Sequence, residues 1–251
     1  MLAKEIGNVS KVLVWCPNWV GDVVMSTPAF ESIRNNFPNA KIFAIIRKYA
    51  SGVISDNPWF DEVIPCKDSG FKGFFETVSA VKKISPDIAI LFPNSTKSFL
   101  IAKLGKSKKI CGYRNLFRPI GLSGPFWSIK PKPRPTWNYY LEMCEYLGLE
   151  TTQKKTPSLF FSDQLKKKSN EYLDNLGIEE KDFLIGINPG AKFGSSKCWS
   201  TDYFARLCEL LQDYKKCKLI LLIGPGEDEI ASKIVFKSKA SIINTSQNKI
   251  D

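Results

Sequence analysis

The strongest constraint in this sequence is an alternation of short, apolar or β-branched runs with segments of helical periodicity. Such alternation is typical of a parallel sheet, because parallel neighbours need a crossover helix between them. We therefore predict an α/β protein with parallel sheets. The candidate strands of the first half are Lys11–Trp15, Lys41–Ile46, Glu62–Pro65, Asp87–Phe92 and Lys108–Cys111, with helices beginning near Thr27, Lys48, Phe71 and Ser95.

The alternation breaks once and then resumes, which predicts two domains. A loop rich in Pro, Gly, Arg and aromatic residues spans 112–136, and an amphipathic helix follows it over 137–147. We predict a Rossmann-like doubly wound domain over 1–150, a connector and helix over 151–180, and a second Rossmann-like domain over 181–251. A doubly wound unit of five or six strands needs roughly 70 to 100 further residues, so the second domain is predicted to be incomplete. Its strands are expected at 183–188, 218–223 and 241–244, and helices at 163–176, 200–213 and 227–237.

The residue types and apolar runs of the chain restrict both the catalytic chemistry and the cellular location that can be expected. The 251 residues contain no histidine, so Ser-His-Asp and Cys-His catalysis are impossible and any general base must be a carboxylate, lysine, cysteine or tyrosine. The seven cysteines include no CxxC pair, and we expect them to be buried free thiols. The apolar runs are too short to span a membrane and the N-terminus lacks the layout of a secretory signal, which predicts a cytoplasmic protein.

The net charge of +11 favours an anionic partner. Nucleic acid, a phosphorylated substrate and an acidic membrane face all fit this charge. A lysine-rich surface without a specific partner fits it equally, since runs such as Lys166-Lys167-Lys168 lie on a helix predicted to be solvated.

The loop after the first strand carries a candidate general base. Residues 15–22 read WCPNWVGD, with too few glycines for a dinucleotide-binding fingerprint. In open parallel sheets, ligands bind beyond the carboxyl ends of the strands, where this loop lies. Asp22 is predicted at the start of a helix, where the helix dipole favours its ionised form. The spacing leaves two roles open for it, accepting a proton from a substrate hydroxyl or capping the helix.

An equivalent loop follows the first strand of the second domain. Residues 188–199 read NPGAKFGSSKCW. The glycines let the backbone approach a ligand, serine hydroxyls and N–H groups can bind phosphate oxygens, and Lys192 and Lys197 add positive charge near a helix N-terminus. The GK[ST] ending of a Walker loop is absent. A diphosphate site and an ordinary glycine-containing turn both remain open.

A third junction of the same kind spans residues 224–229, GPGEDE. Its carboxylates could accept hydrogen bonds from ribose or sugar hydroxyls. Acidic first turns of helices are also common for structural reasons, so both interpretations stand.

Basic and aromatic residues cluster in the remaining loops of the first domain. Guanidinium groups bind carboxylate and phosphate, and rings stack on sugar faces, so the cluster fits an acidic or phosphorylated saccharide. Single-stranded nucleic acid would fit as well. The cluster comprises Asn94, Ser95, Lys97, Tyr113, Arg114, Phe117, Arg118, Phe126, Trp127, Lys130, Lys132 and Arg134.

Taken in order, the segments 17–22 (PNWVGD), 91–98 (LFPNSTKS) and 188–199 (NPGAKFGSSKCW) resemble glycosyltransferase family 9, and in particular its heptosyltransferase II members. The resemblance extends over essentially the whole chain. It implies a GT-B fold whose N-terminal domain holds a lipid-linked acceptor and whose C-terminal domain holds ADP-heptose. It further implies inversion at the anomeric carbon without a metal or other cofactor, in agreement with the absence of a DxD pair.

By the same resemblance, Asp22 is the base that deprotonates the acceptor hydroxyl, Lys197 neutralises the leaving diphosphate, and Glu227 or Glu229 contacts the nucleoside. The acceptor partner is then the anionic inner core of lipopolysaccharide, with peripheral contact at the inner membrane and no nucleic acid. The donor-binding residues it implies are Gly190, Ser195, Ser196, Lys197, Glu227 and Glu229, and the acceptor-binding residues are Asn18, Trp19, Gly21, Asn94, Ser95, Lys97, Arg114 and Arg118.

The sequence departs from the family pattern in two places. Cys198 and Ser200 flank Trp199 where the family commonly has a basic residue and a proline. The glycine-rich, histidine-containing donor motif of the family is not found after the strand at 241–244. Two alternatives therefore stay open, namely a truncated, non-catalytic remnant that at most binds an acidic glycan, and a basic nucleic-acid binder.

Overall fold

The computed structural model describes residues 9–66, 70–114, 121–125, 135–152, 156–191 and 195–246. The chain divides into two compact units, with the boundary between Ser162 and Asp163. The connector predicted over 151–180 is thus shared, because its first part belongs to the first unit and its helix to the second.

The first unit contains a parallel sheet of five strands, in the order β3-β2-β1-β4-β5. All five lie where the sequence predicts them, with ends that differ by a residue or two. The predicted doubly wound α/β class is therefore confirmed for this unit. The strands are β1 Lys11–Trp15, β2 Lys41–Arg47, β3 Glu62–Cys66, β4 Ile88–Leu91 and β5 Lys109–Gly112.

The helices of the first unit differ from prediction mainly after β1. A separate helix of six residues, carrying Asp22, precedes the one expected at Thr27. The two are joined at Ser26, whose Oγ donates to the Val23 carbonyl at 2.8 Å. The helix expected from Lys48 is a single 3-10 segment, Lys48–Val53. The α-helices are α1 Val20–Met25, α2 Thr27–Asn36, α3 Gly70–Ile84, α4 Thr96–Leu104 and α5 Thr136–Tyr146.

Both faces of the central strands are buried, which explains why β1, β2 and β4 are apolar except at their ends instead of alternating, whereas the edge strand β3 is partly exposed. Val12 and Val14 of β1 pack on one side with Phe30 of α2 and Met143 of α5. Their neighbours in β1 face the other side, where Leu13 and Trp15 pack with residues of α3 and α4. The sheet is thus the middle layer of three.

A clamp on Asp87 holds the amino-terminal edge of this sheet. The carboxylate accepts hydrogen bonds from the backbone N–H groups of Ser10 and Lys11 at 2.9 and 3.0 Å, and from Lys108 Nζ at 2.7 Å. Burial disfavours ionisation of Asp87, yet these hydrogen bonds outweigh it and hold the pKa well below its usual range. The clamp joins the starts of β1, β4 and β5.

The chain beyond Leu149 stays with the first unit as far as Ser162. Ser158 N donates to Thr27 Oγ1 at 3.0 Å, and the ring of Phe160 lies edge-on to Trp59 with centroids 5.1 Å apart. This segment is therefore anchored to α2 and to the loop before β3.

The second unit has three parallel strands within its described residues, in the order β6-β7-β8. Two helices cover one sheet face, where Leu219 and Leu221 pack with Cys208, Ala231 and Ile234. On the other side, a cavity of about 860 Å³ separates the sheet from a helix with no buried residue. The strands are β6 Leu184–Ile187, β7 Lys218–Leu221 and β8 Ile242–Asn244, and the helices are α6 Asp163–Asn175, α7 Thr201–Tyr214 and α8 Asp228–Lys237.

All seven cysteines are free thiols, as predicted. Five are buried, whereas Cys198 and Cys217 are half-buried. Among the described residues, no helix is both long enough and apolar enough to cross a bilayer.

Candidate functional site

The strand order places a ligand-binding edge beside β1. The order reverses between β1 and β4, and in doubly wound sheets the loops that leave the carboxyl ends of such strands diverge and open a crevice. The loop with Asn18 follows β1 and the loop with Asn94 follows β4. The fold therefore brings these two predicted motifs to one edge of one sheet.

The loop after β1 is held from the side of β2. Arg47 Nε donates to Asn18 Oδ1 at 3.4 Å, and the Tyr49 hydroxyl donates to the Asn18 carbonyl. Trp19, next in the chain, leaves 46% of its surface exposed. The backbone of this loop is thereby fixed while an aromatic face remains accessible.

Asp22 lies at this edge with its carboxylate bonded to the Tyr140 hydroxyl of α5. Burial raises the pKa of the Asp22 carboxyl above its usual range, and the Tyr140 hydrogen bond opposes that rise. Burial and the Asp22 charge raise the pKa of Tyr140, so its hydroxyl keeps its proton and acts as the donor. A half-buried carboxylate of raised basicity is suited to accept a proton.

The alternative role for Asp22, as a helix cap, is not supported. The N-cap of α1 is Trp19, which makes no side-chain capping bond, and Asp22 lies three residues later in the first turn. The capping interpretation left open by the sequence is therefore wrong for the N-cap position.

Asn94 is tied to the neighbouring tyrosine of α5. The Nδ2 of Asn94 lies 2.9 Å from the Tyr139 hydroxyl, to which it can donate. The same hydroxyl can donate to Asn94 Oδ1, at 3.2 Å. Tyr113 stacks on Tyr139 with centroids 4.2 Å apart, and the Tyr113 hydroxyl donates to the Tyr139 carbonyl at 2.7 Å. Helix α5 thus reaches both predicted loops through two adjacent tyrosines.

Tyr139 and Tyr140 are the site residues that the sequence did not reveal. The helix was predicted, but no role was assigned to its tyrosines. A signal was present, because a buried tyrosine hydroxyl needs a polar partner and two in succession point toward more than one loop. The identity of the partners was not readable, since 118 positions separate Asp22 from Tyr140 along the chain.

The other predicted acceptor residues have different surroundings. Ser95 is the N-cap of α4 and accepts a hydrogen bond from Ser98 N at 3.1 Å, which is a structural task. Lys97 lies against an apolar cavity formed with the first turns of α3. Arg114 is exposed, and its backbone N–H donates to the Pro125 carbonyl at 2.9 Å. Gly21 is exposed, in α1.

Part of the basic cluster lies outside the described residues. This applies to Phe117, Arg118, Phe126, Trp127, Lys130, Lys132 and Arg134, and in the second unit to Lys192 and the side chain of Ser195.

The second unit brings two of its predicted loops together around Glu227. Gly224 N donates to Glu227 Oε2 at 2.9 Å. From the other side, a Cβ added to Gly190 would lie 2.0 Å from the Glu227 carboxyl carbon. Glycines at both positions therefore make room for one carboxylate. Gly226 has φ +83°, which strains any residue with a side chain.

Glu229 lies in a different environment. Its Oε1 pairs with Lys233 Nζ at 2.6 Å on the exposed face of α8. The hydrogen bond from Lys233 holds the pKa of this carboxyl below its usual range. The two glutamates that the sequence could not distinguish thus differ, because only Glu227 is enclosed by the loops after β6 and β7.

Ser196 and Lys197 are exposed in a 3-10 segment, Ser195–Lys197, just before α7. Trp199 stacks on Tyr203 of α7 with centroids 5.1 Å apart, and Ser200 caps that helix by accepting a hydrogen bond from Asp202 N at 3.3 Å. The end of the loop is therefore anchored to α7 while its lysine extends to solvent.

Comparison with known sequences gives one consistent result. The model of glycosyltransferase family 9 (heptosyltransferase) matches residues 76–245. Lipooligosaccharide heptosyltransferase 2 of Haemophilus ducreyi is 26% identical over 236 residues, which cover 89% of this chain and 66% of the relative. Lipopolysaccharide heptosyltransferase 2 of Escherichia coli K12 is 26% identical over 245 residues, which cover 94% and 68%. The chain thus spans about two thirds of the length of these relatives.

Solved structures agree on the fold. A family 9 glycosyl transferase from Veillonella parvula matches with a TM-score of 0.81 at 21% identity, over 94% of this chain and 68% of that one. E. coli ADP-heptose LPS heptosyltransferase II matches with a TM-score of 0.78 at 21% identity, over 95% and 73%. The predicted GT-B type of fold is confirmed by these likenesses.

Proposed function

Because the chain belongs to glycosyltransferase family 9, we propose that it transfers a heptose from ADP-heptose to the inner core of lipopolysaccharide. The observation that carries this proposal is the Asp22 carboxylate at the reversal of strand order, in an environment that raises its pKa. A glycosyl transfer to a hydroxyl needs such a proton acceptor, and the chain has no histidine to supply one.

In the proposed reaction, the acceptor hydroxyl oxygen attacks the anomeric carbon of the donor. The bond from that carbon to the diphosphate oxygen breaks, and ADP leaves with the bonding electron pair. The hydroxyl proton passes to an Asp22 carboxylate oxygen. A single displacement of this kind inverts the anomeric centre. The Tyr140 hydroxyl fixes the carboxylate and stays protonated throughout.

The loops of the second unit supply the proposed donor site. Lys197 is exposed and offers its ammonium to the leaving diphosphate, in place of a metal ion. Ser196, Ser195 and the backbone at Gly190 would line the diphosphate. We assign the nucleoside contact to Glu227 instead of Glu229, since Glu227 lies between two βα loops and Glu229 is paired with Lys233.

The first unit supplies the proposed acceptor site. Trp19 offers a ring face to a sugar, and Asn94 offers polar atoms beside Asp22's loop. Lys97 and Arg114 add positive charge for an anionic core saccharide. Ser95 acts indirectly by capping α4. An acceptor that is lipid-linked would bring the protein to the cytoplasmic face of the inner membrane as a peripheral partner.

The test is transfer of heptose by the whole chain, measured with ADP-heptose and a delipidated inner-core acceptor. Asp22→Asn keeps the shape of the side chain but removes its basicity, and we expect turnover to fall by about 10² or more. The matched control is Asp213→Asn, at an exposed position of α7, which should leave turnover unchanged. Turnover of Asp22→Asn equal to wild type would refute the role of Asp22.

Calorimetric titration with ADP-heptose separates this proposal from a chain that binds only an acidic glycan. Measurable donor affinity that falls in Lys197→Gln supports the donor site. Absence of donor binding combined with retained glycan binding would instead support the non-catalytic alternative. Affinity for arbitrary single strands that falls steeply with salt would indicate a nucleic-acid binder.

A further inference from the structure

Helices α3 and α4 expose an apolar surface that the proposed chemistry does not use. Both helices cover the same face of the first sheet, with their inner sides in its core. On the outer side of α3, Phe71 is 88% exposed and Phe75, one turn later, is 62% exposed. On α4, Leu100 and Leu104 are also one turn apart and are 42% and 52% exposed. Four large apolar side chains therefore project from one layer into solvent.

The first turns of the two helices line an apolar depression that opens to solvent. Its volume is about 340 Å³, and its lining consists of Gly70, Phe71, Phe74, Phe75 and Lys97. Phe74 belongs to the inner side and packs against the core, with its ring edge-on to Phe75 at 5.3 Å. Through Phe74, the exposed ring of Phe75 is therefore in contact with the packed core.

The same layer is strongly basic. Helices α3 and α4 contain five lysines and one acidic residue, Glu76, so their net charge is +4. Four of the lysines are exposed, namely Lys72, Lys82, Lys83 and Lys103. Exposed aromatic and leucine side chains flanked by lysines are the pattern of surfaces that lie in the interface of an anionic bilayer.

The position of this surface in the fold is also informative. In a parallel sheet, each crossover helix begins near the carboxyl end of the strand that precedes it. Phe71 and Phe75 lie at the start of α3, which follows β3, and Lys97 lies at the start of α4. They are therefore at the same edge of the sheet as Asp22 and Asn94.

We propose that the outer surface of α3 and α4, centred on Phe71 and Phe75, docks on the headgroup region of an anionic phospholipid bilayer. The rings enter the boundary between headgroups and acyl chains, and the lysines pair with lipid phosphates. The role of this docking in catalysis rests on the proposed function. Docking here would hold the acceptor-binding edge of the first unit at the membrane that carries the lipid-linked acceptor. The docking itself requires neither donor nor acceptor.

Vesicle flotation of the whole chain tests the docking directly. We expect wild type to bind vesicles of phosphatidylcholine with 30% phosphatidylglycerol, and to bind pure phosphatidylcholine at least tenfold more weakly. The double variant Phe71→Ser, Phe75→Ser should bind anionic vesicles at least about tenfold more weakly, because burial of one phenyl ring alone corresponds to roughly that factor. The matched control is Tyr214→Ser, Phe236→Ser, whose residues are 88% and 90% exposed in the second unit. It should bind like wild type.

A fluorescence measurement removes any ambiguity from misfolding. Phe71→Trp should show a blue shift of its emission when anionic vesicles are added, whereas Phe236→Trp should show none. The shift should diminish at 1 M salt, where the Debye length is about 3 Å. Equal vesicle binding by wild type and the Phe71, Phe75 double variant would overturn the proposal, as would equal binding to neutral and anionic vesicles. Self-association in the absence of lipid that disappears in the double variant would overturn it too, because the surface would then join two copies of the chain.

Failure of this proposal is distinguishable from failure of the proposed function. Heptose transfer to a delipidated acceptor needs no membrane, so a chain that transfers heptose but ignores vesicles refutes only the docking. A chain that binds vesicles through Phe71 and Phe75 but transfers nothing refutes only the transfer.

Discussion

Replacement of Tyr140 by phenylalanine isolates the hydrogen bond that governs Asp22. The hydroxyl donates to the ionised carboxylate, so its removal destabilises the charged form and should raise the pKa of Asp22 further above its usual range. A hydrogen bond to a charged group contributes about 1.5–3 kcal/mol, and one pKa unit corresponds to about 1.4 kcal/mol. Asp22 is half-buried, so water replaces part of the lost bond, and the further rise of its pKa is smaller than complete loss of such a bond would give.

Replacement of Tyr140 by phenylalanine should also change how the free energy of unfolding depends on pH. Because the folded-state pKa of Asp22 is raised, the contribution of this group to the free energy of unfolding is fully present below its unfolded pKa and is lost as pH rises through its folded pKa. In Tyr140→Phe that loss becomes larger. At neutral pH the variant should be less stable than wild type by roughly 1 kcal/mol, and the difference should shrink in acid, where the carboxyl is neutral in both proteins.

Two measurements and one control test the predicted effects of Tyr140→Phe on the Asp22 pKa and on stability. The Asp22 pKa is followed by NMR of the labelled side-chain carboxyl carbon, and stability by urea unfolding at several pH values. Tyr139→Phe is the matched control, because the Tyr139 hydroxyl bonds to the neutral amide of Asn94. The loss of unfolding free energy in Tyr139→Phe should not vary with pH in the range where Asp22 titrates. An unchanged Asp22 pKa in Tyr140→Phe, or the same pH dependence in both variants, would refute this reasoning.

Three further predictions concern single positions. Asp87→Ala should lower the free energy of unfolding at pH 7 by roughly 3 kcal/mol, since it removes the acceptor of four hydrogen bonds. The difference in stability between wild type and variant should shrink in acid, because the wild-type clamp is lost as pH falls through the depressed folded-state pKa of Asp87. Urea unfolding at pH 7 and in acid checks this, and a gap independent of pH would contradict it. Gly226→Ala should cost about 1–2 kcal/mol in the same assay because φ is +83°, whereas Gly52→Ala, with open space around the added Cβ, should cost less. Gly190→Ala should displace the Glu227 carboxylate and weaken ADP-heptose binding as much as Glu227→Gln does, and the double variant should add little. Additive losses by calorimetry would show that the two residues act independently.

Much of the fold was readable from local pattern. The eight strands of the described residues lie where the alternation of short apolar runs with helical segments predicted them, and the central strands β1, β2 and β4 are apolar because helices cover both faces of their sheet. The helices expected to begin near Ser95 and at 200 are α4 and α7, and in the structure Ser95 and Ser200 cap them through bonds confined to a few residues. Failures occurred where local signals overlap. The sequence predicted one helix beginning near Thr27, and the structure adds a separate helix, α1, before it, with Ser26 between the two.

The sequence alone determined the class of fold, the candidate motifs and the order in which they occur. These depend on periodicity, capping and loop composition, all of which are properties of neighbouring residues. The tertiary structure decided which groups meet. It bonded Asp22 to Tyr140, and it enclosed Glu227 between Gly190 and Gly224 while leaving Glu229 to Lys233. Such pairings depend on strand order and on which loops share an edge of the sheet, and neither is encoded in the local pattern of either partner.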